Sequence, residues 1–459
     1  MMLLSQASQA LQARMEGADV RFTAVSTDTR TIQQGDLFIA LRGENFDGAR
    51  FVAQAAQAGA VAAIVNADSV IENAPCPIVR VPDTRLALGQ LAAHWRTQFD
   101  IPLVAITGSN GKTTVKEMLA AILRTATDGE EGVLATKGNF NNDIGMPLTL
   151  LRLQATHRYA VIEMGMNHPC EIDYLTRIAQ PDVALVNNAA GAHLQGLGSV
   201  EGVARAKGEI FTGLGIGGTA IINADDAYAA LWRNLAGTHR IIDFALEHPA
   251  AVKGEWKAQG YGGMLQARTP AGELQVELQV PGEHNALNAL AATSIALALQ
   301  VPLMTIEKAL KGFGGVAGRL QRKQALQGAT LIDDTYNANP ASMHAALEVL
   351  AQAAGKRIFV LGDMGELGAD AVQFHREIGI AAHELGIEQL LALGVLSAEA
   401  VRGFGAGAQH FTNIEALNAA LNKELDAQTT VLVKGSRFMK MERVVQFCAL
   451  HKEEACCSH

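Results

Sequence analysis

The sequence predicts an α/β protein of three domains: a central doubly wound P-loop domain between a small N-terminal α/β domain and a C-terminal Rossmann-like α/β domain. Three observations carry this. Short aliphatic runs such as Tyr159-Ala-Val-Ile-Glu163 recur with helical segments between them, and they are too apolar to alternate, which suits a parallel sheet buried on both faces. Ile101-Pro-Leu-Val-Ala-Ile-Thr107 runs into a glycine turn, Gly108-Ser109-Asn110-Gly111. Lys112-Thr113-Thr114 follows, and then a stretch whose apolar residues Val115, Met118, Leu119, Ile122 and Leu123 share one helical face. Finally, 459 residues exceed the size at which one hydrophobic core stops growing.

Residues 1–84 form the first predicted domain. Leu37–Leu41, Ala60–Val65 and Ile78–Val81 are strand-like, with an alanine-rich helix over Phe51–Gly59. Two polar turns interrupt them, Ser26-Thr-Asp-Thr29-Arg30 and Arg42-Gly43-Glu-Asn-Phe-Asp47-Gly48. Their composition fits plain loop chemistry or a polar ligand site.

The second domain, 85–314, opens with a helix over Thr84–Gln98 and holds the phosphate loop. Strand, glycine turn, Lys-Thr and helix describe an anion cradle, in which backbone N–H groups and a helix N-terminus face a phosphate. Lys112 neutralises it, and the Thr113 or Thr114 hydroxyl reaches a magnesium ion. A nucleoside triphosphate is the expected ligand. The loop is shorter than the common form, because Ile106 stands where the first Walker glycine would be.

Ligands of an open α/β sheet lie at the carboxyl ends of its strands. Glu163 closes one strand and is a candidate magnesium ligand; Asn187-Asn188 closes the next, followed by His193. Further strands are predicted at Thr219–Asn223 and Arg240–Asp243. Lys137-Gly-Asn139-Phe-Asn141-Asn142-Asp143-Ile-Gly145-Met-Pro147 is either a turn cluster or an amide-rich loop for sugar and phosphate oxygens. Pro281-Gly-Glu-His284-Asn285-Ala-Leu-Asn288 starts a helix with two amides on one face, matched to an adenine edge or to capping. The uncharged window Asn285–Ile306 is alanine-rich and interrupted by amides and Pro302, which predicts a buried helix and no membrane span.

Glycines 312, 314, 315 and 318, ahead of Arg319, mark a hinge into the third domain, 315–459. Strands there are predicted at Thr330–Asp334, Arg357–Gly362, Leu390–Leu393 and Thr430–Lys434. Three of them end in polar groups: Asp334-Thr-Tyr336-Asn337-Ala-Asn339-Pro340, Gly362-Asp363-Met-Gly-Glu366-Leu-Gly368 and Lys434-Gly-Ser436-Arg437.

Composition excludes several classes. A net charge of −9 argues against a nucleic-acid partner, whose phosphates demand clustered Lys and Arg. Five cysteines, three of them near the end, make no disulfide framework and fit a reducing cytoplasm. The Cys456-Cys457-Ser-His459 end reads as a polar tail or a metal site, and with no basic residue before Leu3-Leu4 no secretory signal is expected.

Taken in order along almost the whole chain, these motifs resemble the Mur ligases of peptidoglycan synthesis. Thr107-Gly-Ser-Asn-Gly-Lys-Thr-Thr114 is similar to that family's phosphate loop. His284-Asn285-x-x-Asn288, Gly318-Arg319 and Asp334-x-Tyr336 are similar to its remaining ATP-site motifs. Tyr336-Asn337-Ala-Asn339-Pro340 resembles the branch that joins D-alanyl-D-alanine to UDP-N-acetylmuramoyl-tripeptide, where the branch adding the third residue has Tyr-Ala-His-Thr-Pro.

The resemblance implies an ATP-dependent peptide ligase acting through an acyl phosphate, cytoplasmic, with ATP and Mg2+ and working as a monomer. It implies that Gly108 to Thr114 bind ATP, with Lys112 and Thr113 at its β- and γ-phosphates and at magnesium. Glu163 and His193 would be metal ligands, Asn285 and Asn288 would lie at adenine, Arg319 at phosphate and Asp334 at ribose. Lys207 matches a segment where family members carry a carbamylated lysine, a further metal ligand. Thr29, Arg30, Gly43, Asp47, Asn139, Asn142 and Asp143 would seat the uridine-nucleotide substrate, and Tyr336, Asn337, Asn339, Asp363, Lys434, Ser436 and Arg437 complete the substrate set. The superfamily's folate-glutamating ligases have no uridine-nucleotide domain before the loop. A guanine switch would carry Asn-Lys-x-Asp, which is absent from this sequence.

Overall fold

The computed structural model describes residues 1–43, 46–191 and 194–449. Glu44 and Asn45 of the second polar turn, His193 and the cysteine-bearing tail from residue 450 lie outside the described residues. Three large sheets follow one another along the chain. The first has five strands in the order Arg14–Glu16, Ile78–Val81, Ala62–Asn66, Asp36–Ile39, Ala24–Ser26, all parallel except the first. Its alanine-rich helix is Val52–Ala58, entered through a 3-10 turn over Gly48–Phe51.

The central sheet has nine strands, in the order Val133–Ala135, Tyr159–Glu163, Leu103–Thr107, Val183–Val186, Thr219–Asn223, Arg240–Ala245, Val252–Gln259, Gly262–Thr269, Gly272–Leu278. The first seven are parallel, and the last two continue antiparallel. This extension departs from the wholly parallel sheet expected, and its signal is a period of two. Leu274, Val276 and Leu278 are buried, while Glu273, Gln275 and Glu277 face water.

The apolar face read for the helix after the phosphate loop, now Lys112–Ala126, is buried at Val115, Met118, Leu119, Ile122 and Leu123. It packs on the helix Glu283–Ala298, whose buried alanines 286, 289, 291, 292 and 296 allow close approach. The uncharged window is therefore two helices, because Gln300 at φ +60° and Pro302 part Glu283–Ala298 from Leu303–Lys311. Among the described residues no helix is long and apolar enough to cross a membrane.

The third sheet runs Gln321–Gln324, Thr330–Asp334, Thr429–Lys434, Lys356–Gly362, Gln389–Leu393, Ala408–Phe411, parallel except for the first strand. The last strand of the chain thus inserts between two earlier ones. Asp334 and Lys434 become register partners, so two of the polar strand ends meet.

Candidate active site

A cleft of about 1170 Å³ opens where the carboxyl ends of the central strands face those of the third sheet. Its floor is the phosphate loop, on a strand flanked by those bearing Glu163 and Val186. Gly111 has φ +79°, which favours glycine, and a Cβ there would stand 2.3 Å from Asn288 Oδ1 and 2.6 Å from Asn187 Nδ2, so a side chain would have to push these amides aside. The loop is held from outside: Asn110 N–H donates to Asn188 Oδ1 at 2.8 Å, and Ala190 N–H donates to Ser109 Oγ at 2.9 Å. Lys112 Nζ donates to Gly108 O at 2.6 Å. Desolvation pushes its pKa down, opposed by Glu163 and reinforced by Arg319.

Glu163 is buried and joins three elements. Its carboxylate accepts from Thr113 Oγ1 and from Asn141 Nδ2, both at 2.8 Å, and its N–H donates to Thr136 Oγ1 at 2.9 Å. Arg319 Nη2 donates to the same Thr113 hydroxyl at 2.8 Å, with its guanidinium carbon 4.2 Å above the Tyr336 ring. Arg319 Nε is buried without a partner among the described residues, a spare donor beside the phosphate loop.

Lys207, on the helix Val200–Gly208, is buried, and among the described residues its ammonium has no partner. Burial first, then the charge of Lys112, lower its pKa well below that of a free lysine. Its side chain is not part of the cleft lining.

The third sheet supplies Asp334, Tyr336, Asn337, Asn339, Lys434 and Arg437 to the same cleft. Lys434 Nζ donates to Asp334 Oδ2 at 2.5 Å and to Asn337 O at 2.9 Å. Asn339 both caps the helix Pro340–Ala351 and donates to Asn110 Oδ1 at 2.8 Å, a direct link from the third sheet to the phosphate loop.

Several expected contacts are placed differently. Asn288 Oδ1 accepts from Asn187 Nδ2 at 3.0 Å, Asn288 Nδ2 donates to Asn285 Oδ1 at 3.1 Å, and Asn285 Nδ2 donates to Pro281 O at 2.7 Å. Asn288 thus braces Gly111 together with Asn187, Asn285 supports Asn288 from the helix start, and both amides line the cleft where adenine is expected. The Asp363 carboxylate accepts from the backbone N–H groups of Val395, Leu396 and Ser397 at 2.9, 3.2 and 2.7 Å, so it anchors a turn outside the cleft. Ser436 also lies off the lining, where its hydroxyl accepts from Gly365 N–H at 2.8 Å.

Asn139, Asn142 and Asp143 line the cleft, but Asn142 Oδ1 accepts from Gly145 N–H at 2.8 Å and Asp143 is paired with Arg85. Arg85 is one of the cleft residues that sequence reasoning missed, with Asn167, Glu171, Tyr174 and Asn223 among the others. Arg85 sits in the first turn of a helix capped by Asp83, a place with no local mark of function. Thr29, Arg30, Gly43 and Asp47 lie on the N-terminal domain away from the cleft lining. Arg30 pairs with Asp28 at 2.6 Å, and Asp47 Oδ1 accepts from Ala49 N–H at 3.0 Å.

Comparison with known proteins agrees with this arrangement domain by domain. Residues 21–96 match the Mur ligase family catalytic domain, residues 106–296 the Mur ligase middle domain, and residues 318–437 the Mur ligase glutamate ligase domain. The UDP-N-acetylmuramoyl-tripeptide–D-alanyl-D-alanine ligase of Escherichia coli is 43% identical over 99% of each chain, and that of Bacillus subtilis 36% over 92% of each. A crystal structure of MurF from Acinetobacter baumannii superposes with a TM-score of 0.89 at 39% identity, covering 96% of this chain and 97% of that one. MurF from Thermotoga maritima in complex with ADP gives 0.80 at 26% identity, covering 92% and 96%. The chain belongs to the Mur ligase family.

Proposed function

We propose that this protein joins D-alanyl-D-alanine to UDP-N-acetylmuramoyl-tripeptide at the expense of ATP. The observation that carries the reading is the meeting of Arg319, Asn339 and the phosphate loop in one cleft, in a chain whose full-length relatives bear that activity in their names. The residues present fit a triphosphate. Gly111 holds a left-handed turn against Asn288 and Asn187, Lys112 lies at a helix N-terminus, and Arg319 keeps an unused buried donor.

They also fit a magnesium ion. Glu163 and Thr113 present a carboxylate and a hydroxyl side by side, the hard-oxygen pairing that completes its shell with phosphates and water. Bound there, the ion would offset charge on the phosphate oxygens during transfer. Among the described residues no group of three or more His, Cys, Asp and Glu could hold a metal by itself, which suits an ion shared with substrate. Lys207 fits as a carbamylated ligand, because burial and the nearby Lys112 charge favour its neutral amine, which attacks the carbon of carbon dioxide and loses a proton to leave an anionic carbamate. We keep His193 as a candidate ligand on the family resemblance.

A free carboxylate is a poor electrophile, so the tripeptide's terminal carboxylate attacks the γ-phosphorus and ADP leaves, giving an acyl phosphate. The neutral amine of D-alanyl-D-alanine then attacks the carbonyl carbon, phosphate departs with the electron pair of the broken C–O bond, and the proton shed by the new amide nitrogen passes to the departing phosphate or to water. Lys112 and Arg319 stabilise charge on the transferring group. Because Arg319 comes from beyond the hinge, the phosphate site is complete only with the domains together, which suppresses hydrolysis of ATP in the absence of acceptor.

We assign residues 1–84 to the uridine-nucleotide substrate, 85–314 to ATP and 315–459 to dipeptide and closure. Thr29, Arg30, Gly43 and Asp47, although off the main cleft, are the uridine-facing candidates. Free thiols at Cys76, Cys170 and Cys448 fit a reducing cytoplasm, and we expect a monomer. The test is phosphate release from ATP with the UDP-linked tripeptide and D-alanyl-D-alanine added separately and together. Release is expected only with both; release that ignores the dipeptide, or none with both, overturns the reading.

A further inference from the structure

The hairpin Val252–Gln259 to Gly262–Thr269 turns at Gly260-Tyr261, and its tip leaves the central domain altogether. The Tyr261 ring packs against the hydrophobic cluster of the third domain that includes Leu320, Ile332 and Met343. Its hydroxyl donates to Leu320 O at 2.6 Å, and the Arg322 guanidinium carbon lies 5.5 Å from the ring centroid. Leu320 immediately follows Arg319, the residue that reaches Thr113.

This short segment is conformationally demanding. Gly318 has φ +71° and Leu320 has φ +48°, a left-handed conformation that costs a branched side chain free energy unless its surroundings hold it. Each peptide group here is tied: Leu320 N–H donates to Asp334 Oδ1 at 3.2 Å, Arg319 N–H to Val316 O at 3.1 Å, and Tyr336 N–H to Gly318 O at 3.1 Å. Those three partners belong to the hinge or to the third sheet and travel with Arg319 when the hinge moves. The Leu320 carbonyl is held by the central domain.

We propose that Tyr261 is a positioning residue for ligation, whose hydroxyl fixes the Leu320 carbonyl and so sets Arg319 on the phosphate loop. The inference rests on the function proposed above for the site that Arg319 enters. Burial and the nearby Asp334 charge keep the phenol protonated, as a donor must be. A hinge that relied on Asp334 alone would let the whole third sheet swing, with Arg319 correctly folded but out of reach of Thr113. The hairpin tie links the arginine's position to the sheet that carries the phosphate loop.

The test uses the full chain with Tyr261→Phe, which keeps the ring and removes the hydroxyl, alone and combined with Arg319→Ala. The readouts are the equilibrium affinity for ATP with magnesium, kcat and KM for ATP in ligation, and amide exchange over residues 318–320. Tyr261→Phe is expected to weaken ATP binding and kcat/KM roughly three- to ten-fold, the worth of one hydrogen bond, and to speed exchange at the segment. In the Arg319→Ala background the same change should alter ATP affinity by less than about two-fold, since the tie then has nothing to position. Equal weakening in both backgrounds, or unchanged affinity and exchange, overturns the proposal. Wild-type protein that fails to ligate would instead count against the function, and affinity and exchange would still decide on Tyr261.

Discussion

Arg319 Nη2 stands 2.8 Å from the hydroxyl of Thr113, two residues 206 apart in sequence that the fold joins by one hydrogen bond. Thr113 passes the contact on to Glu163 at 2.8 Å, so a cation from the third domain, a hydroxyl and a carboxylate lie in line over the phosphate loop.

Arg319→Lys keeps the charge and loses the planar fork and the stack on Tyr336. We expect kcat/KM for ATP to fall by roughly 100-fold while the unfolding midpoint barely moves, since the arginine acts on developing charge. Steady-state kinetics beside thermal unfolding would show this. A lysine variant with near-normal turnover would mean that charge alone suffices.

Asp363 leads to the opposite expectation. Its carboxylate serves three backbone N–H groups, and Gly394 makes room for it, because a Cβ there would lie 2.3 Å from Asp363 Oδ1. Asp363→Ala should therefore cost about 3 kcal/mol of stability by orphaning those donors and leave KM for D-alanyl-D-alanine unchanged in the folded protein. Urea unfolding with dipeptide-dependent kinetics separates the two effects. A raised KM with intact stability would return Asp363 to the substrate set.

The contrast between Asp363 and Glu163 shows what is legible in such a sequence. Glu163 ends a fully apolar run next to a recognisable phosphate loop, and the strand bounds Tyr159–Glu163, Thr219–Asn223 and Thr330–Asp334 follow directly from their β-branched and aliphatic runs. Asp363 also ends such a run, but its partners sit more than thirty residues further on, in a turn whose position depends on sheet order. Arg85 is hidden for the same reason, since only the packing of its helix points it at Asp143. The antiparallel strands from Gly262 to Leu278 were readable in principle, because their alternation is local. They lack the long apolar run that marks the other strands, as a half-exposed sheet must.

Gly111→Ala tests the cradle from its floor. At φ +79° the backbone already disfavours a side chain, and the new methyl would displace Asn288 and Asn187, which hold the loop. We expect a loss of about 2 kcal/mol in stability and more than roughly ten-fold in ATP affinity. Calorimetric ATP titration and denaturant unfolding would measure both. An alanine variant with wild-type affinity would show that the loop does not bind phosphate in this conformation.

His284, beside Asn285 in the cleft wall, gives a prediction in pH. Burial lowers its pKa from 6.5 to about 4, an effect that the Asp334 charge opposes and the Lys434 charge reinforces. The unfolded chain therefore takes up a proton near pH 6.5, whereas the folded chain resists it until about pH 4. Between these values the unfolded state binds more protons, so the histidine's contribution to stability is fully present above pH 6.5 and is lost as pH falls toward 4. The loss is at most about 3 kcal/mol, less because part of the ring edge meets the cleft. His284→Gln removes the titration, so unfolding free energies of the two proteins should converge or cross as the solution is acidified through that window and run parallel above it. A difference between them that stays constant from neutral to acid pH would show that the imidazole titrates as it does in water.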